Sequence, residues 1–258
     1  MRYGEAFPVL TYHSISRAAG PTSIPPETFR MHMDVLEELG YTATDSAGFL
    51  AWHAGGAPAA TSAPVLITFD DAFADFADAA HPVLRAHGFR CIVFVPTGCA
   101  GAYEAWRGAN APARPLLDWD AMRDLVRNGV EFGGHGVRHE DLTRLPRDAR
   151  RREVEGCAEA LAEHLGARPR SFAAPYGRVD AAVLADIAHT YDIAFGTRFA
   201  RAVRGCNRFD VPRIEMHYFR EERRWREFLR GAVAYFTVRR ALRAVRRAGV
   251  ELMPAGRA

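Results

Sequence analysis

The sequence predicts an α/β protein: a closed or nearly closed (β/α) barrel of about seven parallel strands, followed by a basic C-terminal helix. Three observations carry this. The run Pro64-Val65-Leu66-Ile67-Thr68-Phe69 is continuously apolar rather than alternating, as expected of a strand covered on both faces. Such runs alternate along the chain with stretches of helical periodicity, which implies parallel βα units. The length of 258 residues then favours a closed or nearly closed barrel over an open sheet.

The elements follow in order. Residues 8–12 read as a strand ending near His13. Residues 26–39 read as a helix, because Phe29, Met33, Leu36 and Leu39 recur at helical spacing and Gly40 stops it. Residues 46–53 form a second helix, and 54–63 a Gly/Ala/Pro/Ser loop. After the 64–69 strand come a helix over 75–87 and a buried strand over 91–95. Residues 98–118 are long and irregular, a length more common in functional loops than in plain connections. Beyond them the sequence predicts helices over 119–127, 147–165 and 180–189, and strands over 130–132, 171–173, 193–195 and 211–214. The barrel is assigned to residues 1–219, and a basic amphipathic helix with its tail to 220–258.

Composition excludes several chemistries. All 34 basic residues are Arg, with no Lys anywhere. No Schiff-base lysine can hold a carbonyl substrate or pyridoxal phosphate, and no phosphate-loop lysine can grip a nucleotide. Cys91, Cys99, Cys157 and Cys206 form no CxxC pair, so neither a zinc ribbon nor a redox motif is signalled; free thiols in a reducing compartment are expected. The first ten residues carry Arg2, Glu5 and Pro8 and lack an apolar h-region, so no signal peptide is expected. The longest uncharged run, 46–69, is broken by His53, Gly55, Gly56, Pro58 and Pro64 and does not read as a membrane span. The expected location is the cytoplasm.

Several reactive side chains fall at predicted strand ends. His13 follows the first strand, Asp70 and Asp71 follow 64–69, and His135 and His139 follow 130–132. Pro175 and Tyr176 follow 171–173, and Asp210 and Arg213 flank the last strand. Singly, each has a plain explanation: a helix cap, a surface pair, a core histidine. Together they gather at one end of a barrel, where barrels of this class place their active groups. Two histidines and a carboxylate suit a divalent metal with open positions, and a second carboxylate suits a general base. The chemistry is metal-assisted hydrolysis of an amide or ester. Iron in an oxygenase fits the same ligands but leaves the second Asp idle.

The segments Ile67-Thr68-Phe69-Asp70-Asp71, His135-Gly136-Val137-Arg138-His139 and Ala174-Pro175-Tyr176-Gly177 resemble the motifs of the polysaccharide deacetylases (NodB-homology, carbohydrate esterase family four), in the family's order. The resemblance covers about residues 7–215. It implies a distorted (β/α) barrel and removal of N-acetyl groups from amino sugars, with O-acetyl ester or N-formyl amide cleavage, or glycan binding without turnover, as alternatives. It implies Asp70 as base, and Asp71, His135 and His139 as ligands of a divalent metal, zinc first and cobalt, nickel or manganese next. Tyr176 would offer its backbone N–H to the oxyanion. Tyr12-His13-Ser14-Ile15 resembles the subgroup whose acid-histidine motif lies at the N-terminus, which makes His13 the acid, with His217 as rival. Three positions depart from the pattern: Ala72 stands for the usual Gly, Gly136 for a Ser or Thr, and Ala174 for the Arg that steadies the base. Arg213, with Asp210 beside it, is the expected substitute.

The charge is uneven. Residues 220–247 hold ten Arg and three Glu, +7 against +3 for the whole chain, leaving −4 for the remainder. Trp225, Phe228, Leu229, Ala232, Phe236, Leu242 and Val245 recur there at helical spacing. The plain reading is a helix packed on the barrel with its arginines in solvent. The functional reading is a peripheral contact of 220–247 with an anionic inner membrane face, where the substrate would be a lipid-linked sugar. Nucleic acid is not expected as a partner of a net-acidic body.

Overall fold

The computed structural model describes residues 6–56, 63–106, 113–232 and 234–251. The stretch 1–10, the loops 54–63 and 98–118 and the tail to Ala258 fall partly outside these residues, as does the side chain of Val245. In chain order the first half comprises β1 (Ala6–Phe7), β2 (Val9–Tyr12), α1 (Pro26–Glu38), β3 (Tyr41–Thr44), α2 (Ser46–His53), β4 (Ala63–Phe69), α3 (His81–Ala86) and β5 (Ile92–Val95). The second half comprises α4 (Trp119–Arg127), β6 (Glu131–Gly134), α5 (Arg147–Leu165), β7 (Ser171–Ala173), α6 (Ala181–Thr190), β8 (Ile193–Phe199), β9 (Ala202–Val203), β10 (Val211–Glu215), α7 (Glu222–Leu229) and α8 (Ala234–Glu251).

Seven strands close a ring in the order β2, β4, β5, β6, β7, β8, β10 and back to β2, every pairing parallel. This is the expected distorted (β/α) barrel. β3 pairs with the first half of β4 as an eighth strand outside the ring, and β1 pairs antiparallel with β9. None of β1, β3 and β9 was predicted. They are two to four residues long, too short to show a period, and β3 is only half-buried.

Strand periodicity positions the site. Side chains alternate faces along a strand, so every second residue points to the barrel axis. Leu10, Ile67 and Val93 pack outward against helices, with Phe29, Met33 and Leu36 of α1 in the same core. Val9, Leu66, Ile92, Phe94, Ile193, Phe195 and Val211 form a separate apolar layer with Phe7, Phe49 and Trp52. One step further along the same inward rows come Thr11, Thr68 and Arg213, and a step beyond them His13, Asp70 and Glu215. The chemistry therefore sits on an apolar floor at the C-terminal ends of the strands.

β6 runs two residues further than expected, through Gly133 and Gly134. A Cβ on Gly134 would lie 2.8 Å from the Phe172 ring, so only glycine lets β6 deliver His135 flush against its neighbour. The C-terminal expectation needs correction. The single helix predicted beyond residue 222 is two, α7 and α8, separated at Gly231, whose φ of 92° breaks the helix. The break resets the helical phase. Trp225, Phe228, Leu229 and Phe236 are buried, whereas Leu242 stands 57% exposed beside an equally exposed Val238. Among the described residues no helix is long and apolar enough to cross a membrane.

Candidate active site

Each strand end turns its reactive residue into one cleft of about 330 Å³, lined by His13, Asp70, Asp71, His135, His139 and Tyr176 among others. After β4 the backbone enters the left-handed region at Asp71 (φ 73°) and Ala72 (φ 52°); His139 and Tyr176 do the same, each at 59°. These are the only non-glycine residues with positive φ among those described, and all four belong to the site motifs. Such conformations cost about 1–2 kcal/mol each and persist where the surroundings over-determine them.

Asp71 Oδ1 lies 3.3 Å from His135 Nε2 and 3.2 Å from His139 Nε2, and all three groups are buried. His135 Nδ1 donates to the Ala173 carbonyl at 2.6 Å, so in the neutral ring Nε2 is a bare lone pair aimed at a carboxylate oxygen. Two acceptors facing each other at that distance need a cation between them or a second proton on the ring. The ligand atoms of the three residues lie within 4.8 Å of one another. The donor set of two imidazoles and a carboxylate fits a divalent cation.

Asp70 points elsewhere. Its two oxygens accept from Arg213 Nη1 and Nη2 at 2.7 and 2.8 Å, a bidentate pair with both residues nearly fully buried. Arg213 also donates to the Gly196 carbonyl at 2.9 Å and to Thr68 Oγ1 at 3.2 Å. Burial pushes the Asp70 carboxyl up, but Arg213 and the nearby His135 and His13 hold it below its ordinary value, so it is ionised at neutral pH. Burial likewise opposes ionisation of Asp71, and the two histidines beside it take its carboxyl well below the ordinary value. Arg213 is thus the arginine paired with Asp70, where Ala174 offers none. Asp210 lines an outer lobe of the cleft, with Oδ1 next to Gly196, whose carbonyl accepts from Arg213.

His13 Nε2 is 4.0 Å from Asp70 Oδ2, and its Nδ1 is buried with no hydrogen-bond partner. The ring is held through its neighbours. Asp75 accepts from the Ile15 N–H at 2.8 Å and from Ser14 Oγ at 2.5 Å, clamping the turn behind His13. His217 lies instead in the outer lobe, bonded to Arg220. Tyr176 sits in the tight turn Pro175–Gly177, in which Pro175 has no N–H and the Gly177 N–H donates to the Ala174 carbonyl at 2.9 Å.

Four contributors escaped sequence reading. Glu153, buried on α5, accepts from the Val137 and Arg138 N–H groups at 2.8 and 2.9 Å and so holds the loop between the two histidines. Trp106 stacks on His139 with ring centroids 4.0 Å apart. Asp75 forms the clamp just described. Glu215 lines the cleft, its carboxyl pushed up by burial against the opposing pull of His13 and Arg243.

A sequence model of one family, described as polysaccharide deacetylase, matches residues 58–194. The chain belongs to the polysaccharide deacetylase family. It is a carbohydrate deacetylase, a hydrolase of acetylated glycans. The deacetylase is 24% identical over 211 residues to the Bacillus subtilis (strain 168) protein YxkH, provisionally named a polysaccharide deacetylase, covering 81% of this chain and 71% of that one. Among solved structures it is similar to the Streptococcus pyogenes deacetylase PplD in complex with acetate (TM-score 0.71, 23% identity, 81% and 91% of the two chains). It is also similar to IcaB from Ammonifex degensii (TM-score 0.72, 21% identity, 86% and 97%). At these identities the likeness establishes a shared barrel.

Proposed function

We propose that this deacetylase is metal-dependent and removes N-acetyl groups from an amino-sugar-containing glycan. The observation that carries the reading is the division of labour between adjacent carboxylates: Asp71 faces two histidines, and Asp70 faces an arginine. Bound by Asp71, His135 and His139, a divalent cation, zinc by preference, would lower the pKa of a water toward about 7 and polarise the acetamide carbonyl. Asp70, kept ionised by Arg213, takes the proton of the attacking water. The Tyr176 N–H donates to the oxyanion. His13, within reach of Asp70 at 4.0 Å, protonates the departing nitrogen. His13 is favoured over His217 because it lines the inner cleft. An amine needs this proton more than an alkoxide does, which favours the amide over an O-acetyl ester.

The test is Asp70→Asn, assayed for metal content and for acetate release from N-acetylated oligosaccharides. Stoichiometric metal with deacetylation reduced by at least about a thousandfold is expected, the base being lost and the ligands kept. Full activity in that variant, or wild-type activity unchanged by chelator, would sink the reading.

A further inference from the structure

Beyond the inner cleft lies an outer lobe of about 870 Å³, sharing His13, Tyr176, Thr197 and Glu215 with it and running out to α8. Three arginines line it. Arg178 donates to Asp141 at 2.5 Å and is neutralised. Arg198 and Arg243 have no carboxylate at ion-pair distance among the described residues. Arg198 is exposed on β8. Arg243 is half-buried, its guanidinium 5.8 Å from the ring centroids of both Phe199 and Tyr218, and one of its N–H groups reaches the Thr197 carbonyl at 3.3 Å. A guanidinium has five N–H donors, so among the described residues most of this fork is without an acceptor.

The surrounding charges do not cancel it. Asp210 contributes one carboxylate to the lobe, against the two guanidiniums of Arg198 and Arg243. Burial pushes the Glu215 carboxyl toward its neutral form. His217, in the same lobe, is held below its ordinary pKa by burial and by Arg220 and Arg239, which reports positive potential at this end of the cleft.

We propose that Arg198 and Arg243 form an anion subsite that takes a phosphoryl group borne by the acetylated sugar. Two guanidiniums lining one lobe, neither with a carboxylate at ion-pair distance among the described residues, suit a dianion, where a carboxylate would be satisfied by one fork. The lobe opens directly from the site, so a phosphate attached to the sugar lies in Arg198 and Arg243 while its acetamide lies at Asp71 and Asp70. This rests on the deacetylase reading above, but its first test does not.

The full chain, stripped of divalent metal, is titrated calorimetrically with inorganic phosphate as wild type, Arg198→Glu and Arg198→Ala/Arg243→Ala, with thermal melts to check folding. Both variants should weaken phosphate binding at least about tenfold, as loss of charge-assisted bonds does. With metal restored, acetate release is compared between N,N′-diacetylchitobiose and its 1-phosphate. The phosphate should lower KM about tenfold in wild type, and Arg198→Glu should erase that advantage while leaving turnover of the neutral sugar unchanged. Phosphate binding that persists within twofold in both variants, or equal KM values in wild type, overturns the subsite. Intact phosphate binding that the variants abolish, with no acetate from either sugar, supports the subsite and refutes the deacetylase mechanism instead.

Discussion

Replacing Arg213 with methionine removes the partner of Asp70, the proposed general base, while roughly keeping the volume. The guanidinium makes four bonds: two to Asp70, one to Thr68 and one to the Gly196 carbonyl. Asp70 is 4% exposed, so the variant strands a carboxylate in the barrel. Breaking a buried pair from one side costs about 3–5 kcal/mol, against about 0–1 kcal/mol for an exposed pair. The pH profile should move as well. Burial raises the Asp70 pKa, and Arg213 is the largest of the influences that lower it. Without Arg213 the carboxyl holds its proton to higher pH. Since the base acts when deprotonated, the acid limb of kcat/KM shifts upward. The Arg213→Met/Asp70→Asn double variant leaves no charge behind and should recover most of the stability, though none of the activity. Urea denaturation of the wild type and the two variants measures the first effect, and acetate release against pH the second. A loss below about 1 kcal/mol together with an unmoved acid limb would show that Asp70 is steadied by some other group.

Two further predictions concern positions away from the reacting atoms. Gly136→Ser restores the residue type common in the family, yet it should destabilise by about 1–2 kcal/mol, because φ here is 78° and a Cβ would lie 3.0 Å from Glu153 Oε2; an unchanged melting temperature would refute this. His32 is buried, its Nε2 donating to the Phe219 carbonyl at 2.8 Å and its Nδ1 3.1 Å from the Tyr12 hydroxyl, and burial takes its pKa from 6.5 to about 4. The folded state thus resists a proton that the unfolded state accepts, so the stability is full above about pH 6.5 and falls by about 3 kcal/mol toward pH 4, at about 1.4 kcal/mol per pH unit. Denaturation at several pH values should show this fall, and His32→Gln should flatten it.

The legibility of the sequence followed physical scale. The run 64–69 announced β4 because a strand buried on both faces has no polar residues to hide it. The motif residues were legible because each stands at the end of such a run. β3 and the β1–β9 pair were not, being too short for a period to show. The C-terminal helices merged in the sequence pattern because a single glycine interrupts neither composition nor hydropathy, only the rotation of the chain. Arg213 could be suspected from the vacancy at Ala174, but its partner could not be fixed, since barrel closure and not spacing brings β10 to within 2.7 Å of Asp70. Glu153 was invisible for a different reason: on a helix crowded with charged residues, nothing local marks the one that faces inward.

Ring closure has a consequence for the order in which the chain delivers its parts. β2, the strand that leads into His13, is inserted between β10 and β4 and is parallel to both. In a closed circle of parallel strands the first and last positions are neighbours, so a chain that supplied this strand after β10 would fill the same slot with the same direction. His13 would then meet Asp70 from the same side. The site is indifferent to circular permutation at this seam, and a histidine motif can sit at either end of such a sequence while occupying one place in space.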